Sequence, residues 1–191
     1  MEKLLISACL LGFDCKYSGG SNRLEAGLLA ALGETFRLIP VCPEAAGGLP
    51  VPREPSERQG GRVISRSGRD VTPEYEKGAG TALKLAQRFG CRAALLKERS
   101  PSCGSGMIYD GSFTGRLVQG DGLAAQALKE AGLLVFGEND MELLKAVFHF
   151  RNTAFDCFMG FIGFISTCRP CRRLRAWGDS SRECRQPGSR W

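Results

Sequence analysis

The chain has 191 residues, 43% hydrophobic and 24% charged, the makeup of one soluble globular domain that can build a core without disulfide staples. Its net charge of +6 is uneven: residues 1–150 carry 18 Lys and Arg against 17 acids, and residues 151–191 carry eight Arg against three. The near-neutral body gives no support for a nucleic-acid footprint there, and none is expected. Nine cysteines argue against a small disulfide scaffold and for metal binding or thiol chemistry in a reducing compartment.

Strand and helix signals alternate at βαβ spacing through the first 150 residues. A first strand is expected over Lys3–Ala8, then a Gly-rich loop through Ser18-Gly19-Gly20 and a helix over Leu24–Leu32 ended by Gly33. The second strand is Phe36–Val41. A second helix opens at Asp70-Val71-Thr72-Pro73, with Thr72 as N-cap and Pro73 at the first helical position, and runs to about Phe89. The third strand is Ala93–Lys97, the third helix Leu123–Ala131, the fourth strand Leu133–Phe136, and Asn139 or Asp140 caps a last helix. The pattern predicts a three-layer, doubly wound α/β domain with a mainly parallel sheet.

Two connections are long, and long connections in compact domains tend to be functional. Pro43–Arg69 has little helical signal and a hairpin signal across Arg62-Val63-Ile64-Ser65 with a Ser67-Gly68 turn. Ser100–Gly122 carries a turn at Asp110-Gly111. The start Leu5-Ile6-Ser7-Ala8-Cys9 resembles a lipoprotein box, but the residues before Cys9 are too few for a secretory apolar region, so a cytoplasmic protein is expected.

Residues 1–150 are expected to form the working domain. Residues 151–191 are expected to be a poorly ordered Cys/Arg-rich tail or a non-native C-terminus, with Cys168-Arg169-Pro170-Cys171 and Cys184 as a weak zinc signal and the arginines as a weak signal for nucleic acid or anionic lipid. The apolar stretch 158–165 is too short to span a bilayer, so no membrane association is expected. No signal for oligomeric state is present.

Three cysteines carry the chemistry. Cys9, Cys42 and Cys103 each follow an apolar run, the third after a short Glu-Arg-Ser-Pro-Ser step. If those runs are neighbouring parallel strands, the three thiols meet in the crevice beyond the strands' carboxyl ends. The single histidine, His149, is far along the chain, which excludes histidine-rich zinc catalysis. Three thiolates without imidazole favour an iron–sulfur cluster ahead of zinc. A [4Fe–4S] cluster held by three cysteines leaves one iron open to substrate. Cys15, six residues after Cys9, is the alternative fourth ligand and would give a non-enzymatic redox or structural iron–sulfur or zinc protein.

Around the thiols, Glu44 stands two residues past Cys42 and can serve proton transfer, or act as a loop acid. Ser100 and Ser102 flank Pro101 ahead of Cys103, either as site hydroxyls or as backbone caps. Arg53, mounted between Pro52 and Pro55, is suited to gripping an anion or a carbonyl, and Cys91 is expected as a small buried hydrophobe.

These motifs resemble those of a bacterial family that includes the thiouracil desulfidases. The resemblance rests on Ser7-Ala8-Cys9-Leu10-Leu11-Gly12, Pro40-Val41-Cys42-Pro43-Glu44, Gly47-Gly48-Leu49-Pro50 with Pro52-Arg53, Gly68-Arg69-Asp70-Val71-Thr72, Ser100-Pro101-Ser102-Cys103-Gly104 and Ile108-Tyr109-Asp110-Gly111, in order over residues 3–145. It implies a [4Fe–4S] cluster on Cys9, Cys42 and Cys103, with Glu44 and Ser100 as catalytic residues. The implied reaction is desulfuration of a thiolated pyrimidine without net electron transfer, thiouracil to uracil plus sulfide, with the substrate sulfur at the open iron. Whether that small molecule is a base, nucleoside or nucleotide stays open. The tail beyond residue 150 departs from the family pattern.

Overall fold

The structure, a computed structural model, describes residues 1–148. The expectations for His149, for Cys157, Cys168, Cys171 and Cys184, and for tail order lie outside the described residues. Met1–Lys145 form one compact unit and Ala146–Trp191 fall in a second; the architecture below is that of the first.

In chain order the elements are β1 (Glu2–Ser7), a 3-10 turn (Ala8–Leu11), α1 (Ala26–Thr35), β2 (Phe36–Val41), α2 (Pro43–Ala46), β3 (Ser56–Gln59), β4 (Arg62–Ser65), α3 (Thr72–Phe89), β5 (Ala93–Leu96), β6 (Met107–Tyr109), β7 (Leu117–Gln119), α4 (Leu123–Glu130) and β8 (Leu134–Gly137). The chain is helical again from residue 141.

Four strands make a parallel central sheet in the order β2-β1-β5-β8. Leu5, Ala94 and Leu96 share a core with Ala79, Ala82 and Ala86 of α3 and Ala124, Ala125 and Leu128 of α4. By strand alternation Leu4, Ile6, Ala93 and Leu95 face the other side, and they are equally buried. Both faces of the sheet are therefore covered, which is why β1 and β5 read as unbroken apolar runs rather than alternating ones. The result is a mixed α/β fold with a parallel sheet, as expected.

The chain steps from β1 outward to β2, then crosses back to place β5 on the other side of β1. That reversal opens a crevice at the carboxyl ends of β1 and β5, the position where open α/β sheets bind ligands. The two long connections fold over this same end as small antiparallel hairpins, β3–β4 and β6–β7.

Several local expectations are corrected. α1 runs through Gly33 and passes directly into β2, because nothing beside Gly33 forces a positive φ there. Val71, not Thr72, holds the N-cap of α3; the Thr72 hydroxyl instead accepts the Val63 N–H at 2.9 Å and donates to Asp70 at 2.5 Å. The hairpin partner of β4 is β3 before it, joined through Gly60-Gly61; the Ser67-Gly68 turn serves only an isolated bridge between Ile64 and Asp70. Cys91 is buried in the core, as expected. Asp110-Gly111 lies in the β6–β7 connection.

Candidate metal centre

Beyond the carboxyl ends of the sheet strands lies a cavity of about 610 Å³ whose lining includes Cys9, Cys15, Cys42, Cys103, Glu44 and Ser100. Each thiol arrives by a different local device. Cys9 sits in the 3-10 turn that ends β1, closed by Gly12 at φ 101° with its N–H on the Cys9 carbonyl at 3.2 Å. That φ is in the left-handed region, where glycine carries no Cβ penalty. Asn22 hydrogen-bonds the Cys9 thiol. Cys42 is the residue between β2 and α2. Cys103 is buried, its thiol hydrogen-bonded to Ser7 at the end of β1. Its loop docks on the start of α4, where a Cβ at Gly122 would stand 2.4 Å from the Ser102 backbone.

Burial pushes the Cys9 and Cys103 thiols up, and the charge of Cys42 adds to both. Cys9 also raises Cys103, so the three sulfurs lie within electrostatic reach of one another. Three thiolates cannot share such a site without a compensating cation. Among the described residues, no three His, Cys, Asp or Glu side chains are grouped closely enough to hold a single metal ion. A soft, multi-atom core is wider than an ion and takes sulfur ligands from around its perimeter. The donor set of three thiols without imidazole, spread around one cavity, therefore fits an iron–sulfur cluster.

Cys15 is in the same cavity. Its backbone carbonyl accepts from the Cys42 sulfur at 3.7 Å, and its thiol, hydrogen-bonded to Cys42, is pushed up to about 12 by burial first and by Cys42 second. The structure thus brings all four candidate thiols to one place.

Glu44 is the most tightly held group. It rides on α2, a single helical turn pressed against α3 so closely that a Cβ on Gly47 would lie 1.9 Å from the Glu74 carbonyl and one on Gly78 2.0 Å from the Pro43 carbonyl. Glu44 Oε2 accepts from Arg53 Nε at 2.8 Å, with Nη2 at 2.6 Å, and Oε1 accepts from the Ser100 hydroxyl at 3.2 Å. The Tyr75 hydroxyl also bonds Glu44, and burial holds that phenol protonated well above its ordinary range.

Arg53 therefore does not stand free to grip a ligand. Its guanidinium is spent on Glu44, on the Pro50 carbonyl at 3.2 Å and on the Cys15 carbonyl at 3.1 Å, tying the Cys15 loop to the catalytic-candidate carboxylate. Ser100 donates to Glu44 at 3.2 Å and, as a backbone cap does, accepts the N–H groups of Ser102 and Cys103 at 3.1 and 3.2 Å. Ser102 is fully buried, outside the cavity lining, and its hydroxyl has no hydrogen-bond partner.

Residues the sequence reading passed over complete the rim. Ser7 accepts the Lys97 N–H at 3.0 Å while bonding Cys103. Lys97 and Glu138, at the ends of β5 and β8, form an ion pair that lines the cavity. Their position at strand carboxyl ends was the signal that could have found them.

Comparison with known proteins places this geometry in a lineage. Residues 4–140 match the 2-thiouracil desulfurase family. The chain is 39% identical over 148 residues to the uncharacterized protein YbbK of Bacillus subtilis (strain 168), covering 72% of this chain and 97% of that protein. A solved structure of the [4Fe–4S]-dependent thiouracil desulfidase TudS superposes with a TM-score of 0.75 at 47% identity, covering 78% of this chain and 99% of the other. This chain belongs to the 2-thiouracil desulfurase family.

Proposed function

We propose that this protein is a [4Fe–4S]-dependent desulfidase that converts a thiolated uracil and water to uracil and hydrogen sulfide. The observation that carries the reading is the meeting of Cys9, Cys42 and Cys103 with the Glu44–Ser100 pair in one cavity at the sheet's reversal point. Family membership and the likeness to TudS support it. Cys9, Cys42 and Cys103 would hold the cluster. Bound there, it would supply Lewis acidity for polarising the C–S bond of a thiolated substrate.

The chain's own residues supply the rest. Exchanging C=S for C=O leaves the carbon at the same oxidation level, so the reaction needs water and proton transfers and no reductant. Glu44 takes the two protons of the attacking water in turn and hands each to the departing sulfur, which leaves as hydrogen sulfide. Ser100 holds the second carboxylate oxygen and, from the same wall, orients water or substrate. Arg53 and Tyr75 fix the carboxylate. Residues 1–150 form the catalytic domain, and the five described cysteines, all free thiols, suit a reducing cytoplasmic setting.

Anaerobic reconstitution with iron and sulfide, followed by incubation with 4-thiouracil, tests this. Equal amounts of uracil and sulfide, formed without added reductant, are expected; cluster-loaded protein that forms neither contradicts it. A second reading is favoured by one observation, the hydrogen bond between the Cys15 and Cys42 thiols. With Cys15 as fourth ligand the cluster would be closed, and the protein a redox or structural one.

A further inference from the structure

The wall of the cavity that C–S cleavage leaves unused is built by Lys97 and Glu138. Neighbouring parallel strands β5 and β8 deliver an ammonium and a carboxylate side by side. Glu138 Oε1 accepts from Lys97 Nζ, and Oε2 accepts from the Glu98 backbone N–H. The side chains keep 28% and 17% of their surface open, and both line the same cavity as the thiols. Each also acts electrostatically on the Cys9 thiol, Lys97 lowering and Glu138 raising it, after the larger effect of burial. The pair thus lies within electrostatic reach of Cys9 in the shared cavity.

Neither partner is saturated. An ammonium has three donors, and Lys97 uses two, on Glu138 and on the Glu98 carbonyl at 3.4 Å. A carboxylate has about four lone-pair sites, and Glu138 uses two. The wall therefore offers one more donor beside about two more acceptor sites.

A thiolated uracil presents the complement. Next to its C=S group stands a ring N–H, and beyond that a C=O: a donor, then an acceptor. A thiolated cytosine presents the reverse, a ring nitrogen lone pair and then an amino group. Resting on the desulfidase reading, we propose that Lys97 and Glu138 are the specificity-determining pair: Glu138 accepts from the ring N–H, Lys97 donates to the C=O, and amino-bearing thiolated pyrimidines are rejected.

The test compares kcat/KM for 2-thiouracil and 2-thiocytosine, which carry sulfur on the same carbon, in cluster-loaded wild type, Glu138→Gln, Lys97→Met and Lys97→Arg, with iron content and Tm measured for each. A site built to hydrogen-bond a substrate rejects mismatched analogues strongly, so wild type is expected to prefer 2-thiouracil by at least ~10²-fold. Glu138→Gln, whose amide can turn an N–H toward a ring nitrogen, narrows that ratio by roughly tenfold or more, mainly through KM. Lys97→Met narrows it and Lys97→Arg keeps it, which covers the case of a Gln variant that fails to load its cluster. A pair that merely joined β5 to β8 would change Tm and leave the ratio alone. An unchanged ratio in active Glu138→Gln and Lys97→Met, or a wild type that does not discriminate, overturns the pair's role. A loaded wild type that releases sulfide from neither compound nor from 4-thiouracil overturns the desulfidase reading, and the pair's role with it.

Discussion

The two polar walls of the cavity are built on opposite plans. On one, Glu44 and Arg53 keep only 14% and 7% of their side-chain surface exposed, Tyr75 and Ser100 also bond the carboxylate, and two backbone carbonyls also hold the guanidinium. On the other, Lys97 and Glu138 are more open and partly unsatisfied. A group that must meet a reacting atom in one geometry gains from being locked beforehand. A group that must tell one ring edge from another needs spare donors and acceptors. The first wall is suited to chemistry and the second to recognition.

The comparison can be broken most completely at the thiols between the walls. Cys9→Ser, Cys42→Ser or Cys103→Ser should each remove the cluster absorbance and all measurable sulfide release together, as read by anaerobic spectroscopy beside a sulfide assay. Glu44→Gln should keep the cluster and lower kcat by about 10²–10⁴-fold, the usual reach of a general acid–base group. A fully active Glu44→Gln enzyme would contradict the role given to that wall.

Stability separates the walls next. Arg53→Met leaves the part-buried Glu44 carboxylate without its cation, with only Ser100 and Tyr75 on it, and should cost about 3 kcal/mol in urea unfolding of the cluster-free protein. Lys97→Met should cost nearer ~1 kcal/mol, because that pair is partly solvated and Glu138 keeps the Glu98 N–H. Equal losses would remove the distinction between a locked and an open wall. The smallest effect is expected from deleting residues 151–191, which should leave kcat for 4-thiouracil within about twofold, since the family match ends at residue 140.

Much of the frame was legible in the chain because the central strands are buried on both faces. β2 begins and ends at Phe36 and Val41, as the apolar run indicates, and the step from strand to Gly/Pro turn marks Cys9 and Cys42 as rim residues. What was hidden is tertiary. α2 has four residues, too few for a helical period to register, and its place is set by Gly47 and Gly78 meeting the backbone across from them. Arg53 looked like a ligand clamp because sequence does not reveal that Glu44 and two carbonyls occupy it. The pairing of β3 with β4 was missed because Ser56–Gln59 carries almost no apolar signal. Lys97 and Glu138 are ordinary surface types until the sheet order sets β5 beside β8.

The central claim is that three thiols, and not four, hold the cluster and so leave it reactive. Iron and acid-labile sulfide content of anaerobically reconstituted Cys15→Ala, measured beside wild type and Cys42→Ser, tests it most directly. Cys15→Ala should retain a full [4Fe–4S] complement and wild-type sulfide release, while Cys42→Ser should retain neither. A Cys15→Ala protein that loses its iron as Cys42→Ser does would contradict it.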